Sequence, residues 1–536
     1  MAQGDKSSTT GNLILILGAM VIGVLIGVMF TSHDKLNRQN GTLQSKVSEV
    51  LELVEKEYVD PVDIDSLNES LLAAMLSELD PHSTYLSVRE TEHTAEMMRG
   101  NFEGVGIVLH SENDSVFVGQ LLADGPSVNI GLLPGDLILT VDGDTMSGVG
   151  MPTDTVVARL RGPRGTKVTV GIQRYGVDEP LQFTIRRGVV KHATVTCATM
   201  LDDTTGYILL SSFASTSYDE FHDALYQLKR QGMRRLIFDL RGNGGGALAS
   251  AVSIAGEMLP AGSLIVYTKG EHSHRHDVKA QRGGLFTSGD IIVMVDESSA
   301  SASEVVSGAL QDNDRALIVG RRTFGKGLVQ SEFELNDGSA VMLTTARYYT
   351  PSGRSIQRPY AAGTDQYYRD YMEQLFGEAY ADTMTIHIAD STPYKTIGGR
   401  TVYGGGGIVP DLLLPYRKDK SFIYYNALVN KRLITRVAFR QVRRHAAELL
   451  QRYPTAEAFN KGYKVDDSVI QELVHEGEKA GIERNAASLA VQRRLIETII
   501  KANIGLNLYG NEAFYAAYLP IDEDLNRIKH ERISIQ

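Results

Sequence analysis

At 536 residues the chain is too long for one hydrophobic core and divides into about three domains. Its formal charge of -11 excludes nucleic acid as the main partner, because a phosphate-binding face must be basic. The single cysteine, Cys197, excludes an intrachain disulfide and a thiolate metal cage, and it reads as a small core hydrophobe.

Residues 1–12 form a short tail. Leu13 to Phe30 follows as an uncharged apolar run of 18 residues. As a helix it spans about 27 Å at about 1.5 Å per residue, close to the thickness of a bilayer core, and predicts a transmembrane anchor. Its exit through Val28, Met29, Phe30 and Thr31 lacks the small residues of a cleavage site, and no cysteine follows for lipid attachment. Lys6 is offset by Asp5 while Lys35 and Arg38 flank the far end, so charge does not fix the orientation.

Residues 31–98 read as an N-terminal helical region. Val47, Val50, Leu51, Val54 and Tyr58 recur at helical spacing until Pro61. Ser66 and Glu69 form a capping-box pattern that opens a second helix through Leu71, Leu72, Met75 and Leu76, stopped by Asp80-Pro81. Residues 99–188 change to short strands with glycine turns. Gly104-Val105-Gly106-Ile107 leads one strand, Ser115 to Val118 is its hairpin partner, Thr153 to Leu160 is the one helix, and Val168-Thr169-Val170 starts the last strand. Residues 189–415 alternate strand and helix, with apolar strands at Tyr207 to Leu210, Leu236 to Phe238, Ile291 to Val295 and Ala316 to Val319, which predicts an α/β layered core. Residues 416–536 are helical, with a break at Pro454.

Three glycine- or serine-rich segments compete for function. Gly242-Asn243-Gly244-Gly245-Gly246-Ala247 follows a strand and loosely matches a dinucleotide fingerprint, yet Glu257 comes too early to hold a ribose. The same glycines expose backbone N–H groups that suit an oxyanion. Gly320-Arg321-Arg322-Thr323-Phe324-Gly325-Lys326-Gly327 matches G-x-x-x-x-G-K but lacks the Ser or Thr that a phosphate loop needs for Mg²⁺. Ser298-Ser299-Ala300-Ser301-Ala302-Ser303-Glu304 sits at a strand-to-helix turn, where serines either cap the helix or present a nucleophile. No G-x-S-x-G elbow is present. His272, His274 and His276 alternate but lie in a charged stretch that reads as a solvated loop, and His82 reads as a turn residue. A lysine can replace histidine as the base where burial depresses its pKa, and Lys326, beside Phe324 after a buried strand, suits that role.

The ordered set Asp80-Pro81-His82-Ser83-Thr84-Tyr85, Phe102-Glu103-Gly104-Val105-Gly106, Asp239-Leu240-Arg241-Gly242-Asn243-Gly244-Gly245-Gly246, Ser299-Ala300-Ser301-Ala302-Ser303-Glu304 and Thr323-Phe324-Gly325-Lys326-Gly327 resembles the carboxy-terminal processing (tail-specific) proteases, from about Val47 to Pro415. The resemblance implies an α/β, crotonase-like core with a mixed β-sheet and helices. It adds an inserted PDZ domain at 99–188, beside the transmembrane helix and the C-terminal helical domain. It implies Ser301 as nucleophile, Lys326 as general base and Gln330 as the residue that orients the lysine; spacing alone does not choose Ser301 over Ser303. It implies oxyanion donors at Gly245 or Gly246 and at Ala302, with Gly244 standing where the family usually has proline. The Gly104-Val105-Gly106-Ile107 loop then offers amides to a substrate's terminal carboxylate, and Arg161 and Arg164 couple the module to the protease. No metal or cofactor is required. The expected substrates are unfolded or tail-exposed envelope proteins, cleaved in the periplasm by a homo-oligomer held in the bacterial inner membrane through residues 13–30. A noncatalytic PDZ scaffold and an NTPase built on Lys326 are the rival readings.

Overall fold

The computed structural model describes residues 44–379, 390–416, 419 and 421–529. The apolar run of residues 13–30 lies outside them, and among the described residues no helix is long and apolar enough to cross a membrane. The chain divides into two compact units, Met1–Leu76 and Ser77–Gln536.

The first unit holds two helices, α1 (Gln44–Glu57) and α2 (Ile64–Ser77), the second running one residue past the unit's limit. Ser66 does not open α2. Asp63 does, its Oδ1 accepting the N–H groups of Asp65 and Ser66 at 3.1 and 3.2 Å. Both residue types cap helices, and the one three positions upstream reached the first free amides.

The large unit begins with β1 (Thr84–Leu86), α3 (Val88–Arg99) and β2 (Asn101–Gly104). The β-rich module follows with β3 (Ile107–Ser111), β4 (Val116–Leu121), β5 (Leu137–Val141), β6 (Asp144–Thr145), α4 (Thr153–Leu160), β7 (Lys167–Gln173) and β8 (Leu181–Arg186). Its sheet runs β3-β4-β5-β7-β8, which leaves β3 at an edge. Strand β8 was not expected, although Leu181, Phe183 and Ile185 alternate with polar residues in the two-residue period of a half-buried strand. The module closes at its stem, where β9 (Gly188–Lys191) pairs antiparallel with β2.

The core domain continues with β10 (Val195–Met200), β11 (Thr205–Leu210), α5 (Ser217–Arg230), β12 (Arg235–Asp239), α6 (Leu248–Met258), β13 (Leu264–Lys269), β14 (His276–Lys279), β15 (Asp290–Val295), α7 (Ala302–Asp312) and β16 (Leu317–Gly320). Then come β17 (Leu328–Glu334), β18 (Ala340–Tyr349), α8 (Thr364–Ala379), β19 (Asp390–Lys395), β20 (Thr401–Gly404) and β21 (Leu412–Leu413). The main sheet runs β10-β11-β12-β15-β16-β21, parallel except for β10. The predicted apolar strands are its centre, as two-sided burial requires. One face is covered by α5, α6 and α7, whose buried Phe221, Leu225, Ile254, Val306 and Leu310 pack on Ile208, Phe238 and Val293. A second sheet joins β1, β18, β13 and β14, with β17 on β18. Of the three alternating histidines only His276 lies in a strand, β14, and it is exposed.

The C-terminal helices are α9 (Phe422–Asn430), α10 (Leu433–Arg452), α11 (Ala456–Gly462), α12 (Asp467–Lys479), α13 (Ala486–Tyr509), α14 (Asn511–Tyr518) and α15 (Glu523–Ile528). They have their own core around Val437, Phe459, Leu473 and Ile500. Their end also covers the second face of the main sheet: Leu519, Leu525 and Ile528 pack on Tyr207, Ile237, Ile292, Met294 and Val319. The extension docks on the β-rich module as well. Phe439 of α10 stacks on His110 with ring centroids 3.8 Å apart, and Arg440 pairs with Glu112 at 2.7 Å.

Candidate active site

Strand β15 delivers the chain to the serine turn at the edge where α7 begins. Asp296 organises that turn, accepting from the amides of Ser298 and Ser299 and, across to the glycine loop, from Gly242. Ser301 stands immediately before α7 with φ 54° and ψ -112°. Such a conformation costs a non-glycine residue about 1–3 kcal/mol and persists only where neighbours enforce it. The motif of a nucleophile elbow is absent from the sequence, yet a strained strand-turn-helix serine is present in the structure.

The neighbour that enforces it is Glu304, three residues on and fully buried. Its Oε2 accepts the N–H of Ser301 at 2.8 Å and the N–H of Lys326 at 2.9 Å. Its Oε1 accepts the Thr323 hydroxyl at 2.6 Å and the Gly325 N–H at 2.8 Å. One carboxylate therefore ties the serine turn to the lysine loop between β16 and β17. Burial pushes its carboxyl up to about 7, while the converging donors pull the other way. From the other side the Tyr348 hydroxyl donates to the carbonyls of both Ser301 and Lys326. The amides of Gly325 and Lys326, which a phosphate cradle needs free, are thus committed to Glu304.

Lys326 donates through Nζ to Gln330 Oε1 at 2.8 Å. Gln330 sits on β17 where the register with β18 shifts, the extra residue, Thr345, lying on β18 opposite it. Its Nε2 donates to the carbonyl of His82. The loop carrying His82 is built on Asp80, which accepts the amides of His82 and Ser83 and the Ser83 hydroxyl. Burial pulls the Lys326 amine below the usual lysine range, opposed by the charges of Asp80 and Glu304. Burial, then the Lys326 charge, holds the His82 imidazole down to about 4, so the ring is neutral at physiological pH. In this structure the hydroxyl of Ser301 and the amine of Lys326 are joined through their backbones; among the described residues no hydrogen bond links Oγ to Nζ directly.

The glycine loop lies against the serine. A Cβ on Gly245 would sit 2.9 Å from Cβ of Ser301 and 3.1 Å from the Ala302 nitrogen, and its φ of 103° also demands glycine. The Gly245 N–H is already taken by Asn243 Oδ1 at 2.8 Å. Among the described residues the amides of Gly246 and Ala302 have no acceptor, and Ala302 opens α7, where the helix end favours negative charge. Cys197 is far from a thiolate, since burial raises it to about 12.

The Gly104-Val105-Gly106-Ile107 loop shares no hydrogen bond with this cluster. It turns at the stem of the β-rich module, where the carbonyls of Val105 and Gly106 accept from Ser127 and Leu122. The Val105 and Gly106 amides have no acceptor among the described residues, and the loop leads directly into β3, the edge strand of the sheet. Arg161 pairs with Glu96 of α3 and lies over Phe102 at 4.9 Å, while the Arg164 amide binds Glu103 at 2.9 Å. Helix α3 in turn meets the core through Ser215, so Arg161 does join module to core. Glu304, Tyr348 and the His82 carbonyl were not singled out from sequence. For Glu304 a signal existed: an acidic residue three after Ser301 at the start of an otherwise apolar helix.

Residues 204–365 match the model of peptidase family S41, residues 94–173 that of the PDZ domain, and residues 424–510 a family of unknown function (DUF8443). The carboxy-terminal-processing protease of Bartonella bacilliformis is 35% identical over 353 residues, covering 64% of this chain and 80% of that protein. The carboxyl-terminal-processing protease of a Synechocystis species is 36% identical over 363 residues, covering 64% of this chain and 83% of that protein. Among solved structures, the photosystem II D1 C-terminal processing protease is 29% identical, covers 59% of this chain and 84% of that one, and superposes with a TM-score of 0.34. Five ordered motifs and this extent of identity agree: the chain belongs to the carboxy-terminal processing proteases, serine peptidases of family S41 with a PDZ domain.

Proposed function

We propose that this peptidase cleaves tail-bearing proteins by a Ser301/Lys326 mechanism. The observation that carries the reading is the double clamp: Glu304 binds the amides and Tyr348 the carbonyls of both residues, so turn and loop are held as one piece. Neutral Lys326, oriented by Gln330, takes the proton of Ser301 as Oγ attacks the scissile carbonyl carbon. The C–N bond breaks, Lys326 returns that proton to the leaving amine, and an acyl-enzyme remains. Water then gives a proton to Lys326 and attacks the ester, and Ser301 regains the proton as the acid product leaves. The amides of Ala302 and of the Gly245-Gly246 turn receive the developing oxyanion. With Gly245 N–H held by Asn243, Gly246 is the better-placed glycine donor in this conformation.

The free amides of Val105 and Gly106 and the open edge of β3 suit capture of a C-terminal carboxylate with the tail added as a strand. The reading extends to an anchor at residues 13–30, a periplasmic catalytic region on the bacterial inner membrane, unfolded or tail-exposed envelope proteins as substrates, and a homo-oligomer. The test is hydrolysis of an unfolded protein with an apolar C-terminus by full-length wild type, Ser301→Ala and Lys326→Ala. Both variants should lose at least about a thousandfold in kcat. Turnover near wild type in either would overturn the mechanism.

A further inference from the structure

The C-terminal extension reaches the active-site loops through the turn before α15, and through Tyr416, whose hydroxyl donates to Glu297 at 2.6 Å and whose ring lies 4.1 Å from the Arg321 guanidinium. Asp522, which caps α15 by accepting the Leu525 amide at 2.9 Å, is only 4% exposed. Its Oδ2 accepts Arg241 Nη2 at 2.7 Å, and its Oδ1 accepts Nη1 at 3.3 Å. Arg241 begins the glycine loop, and both its backbone N–H and its Nε bind buried Asp239, itself held by the Tyr207 hydroxyl at 2.7 Å. From Arg241 the loop passes through Gly242 on Asp296 and Asn243 on the Leu210 carbonyl to Gly245 against Ser301. Two residues beyond Asp522, Asp524 pairs with Arg321 at 3.0 Å; Arg321 opens the lysine loop and also binds Glu297 of the serine turn at 2.8 Å.

We propose that Asp522 is a positioning residue for the glycine loop, acting through Arg241 to hold the oxyanion amides in register with Ser301. Asp239 grips the guanidinium along its Nε edge, with Nη2 2.6 Å from its Oδ2, and leaves Nη1 to the extension, where Asp522 Oδ1 lies at 3.3 Å and Asp524 Oδ2 at 3.7 Å. Asp522, which also takes Nη2, closes the far side of the fork and with it steadies the first residue of the loop. The extension lies outside the residues matched by the peptidase family, so the catalytic loops of this chain depend on a segment beyond its protease core. This inference rests on the Ser301 mechanism proposed above.

Asp522→Asn separates this role from helix capping, because asparagine caps as well as aspartate but brings no charge to Arg241. Misplacing oxyanion donors affects the transition state and not the ground state, so kcat should fall about tenfold with KM within about twofold. The melting temperature should fall by a few degrees, because the new Nδ2 faces Arg241 Nη2 although the cap survives, so kcat is read well below the transition. In an Arg241→Met background the same substitution should change kcat less than about twofold, because its route is gone. A kcat within about twofold of wild type for Asp522→Asn, or a loss seen only with Asp522→Ala, would overturn the role. Ser301→Ala assayed alongside keeps the two ideas apart: turnover there undoes the mechanism, whereas an inactive Ser301→Ala with a silent Asp522→Asn undoes only this inference.

Discussion

Glu304 shows how much of this active site hangs on one buried group. Three amides and a hydroxyl converge on its two oxygens, an arrangement that only a carboxylate satisfies. In Glu304→Gln one oxygen becomes NH₂ and faces N–H donors that can no longer be paired. Stranding two buried donors costs about 2–5 kcal/mol, so the variant should melt well below wild type in a thermal scan and lose most activity. The activity that remains carries a second signature. The Glu304 charge raises the Lys326 pKa, so removing it lets the amine lose its proton at lower pH. In wild type kcat/KM should rise with pH through a midpoint below the ordinary lysine value of 10.5, and in Glu304→Gln that midpoint should move to lower pH. A midpoint that moves upward, or a variant as stable as wild type, would contradict the clamp.

At the scale of elements, the readable parts were those where burial writes a pattern. The apolar runs of β11, β12, β15 and β16 appeared as expected, because burial on both faces leaves a continuous apolar pattern in the chain. What sequence did not disclose were choices among equals. Asp63 and Ser66 are both capping residues, and Gly245 and Gly246 are both glycines; only the backbone path decides which amide is free. The bulge at Gln330 and the strain at Ser301 are likewise conformational, not compositional. The PDZ loop allows an element-scale prediction. Gly106 has φ 75°, and a Cβ there would lie 2.9 Å from the Gly125 Cα, so Gly106→Ala must shift the loop proposed to take a substrate's terminal carboxylate. KM for a substrate with a free apolar C-terminus should rise about tenfold, while turnover of the same protein with its C-terminus amidated stays as in wild type. Equal KM values for the two enzymes on the free tail would remove the loop from recognition.

Over the whole molecule, the C-terminal helices turn out to be structural to the protease and not an appendage. The main sheet has two apolar faces, and only one is covered by α5, α6 and α7. Tyr207, Ile237, Ile292, Met294 and Val319 form the other and would be bare without Leu519, Leu525 and Ile528. The same helices grip the PDZ module through Phe439 on His110 and Arg443 over Phe117 at 4.8 Å. Core, module and extension therefore share one set of contacts, and damage at the far C-terminus should be felt in the protease. Leu525→Ala removes a nearly fully buried side chain from the centre of that second face, at a cost of about 2–5 kcal/mol for the lost burial and the cavity left behind. Because Asp522, three residues upstream, shares the α15 turn, the cavity should also loosen Arg241, so activity should fall at temperatures where the protein is still folded. Calorimetry and kcat measured together test this: a lowered Tm with a fall in kcat beginning below the transition is expected. An unchanged Tm would mean that the sheet does not depend on the extension for its cover.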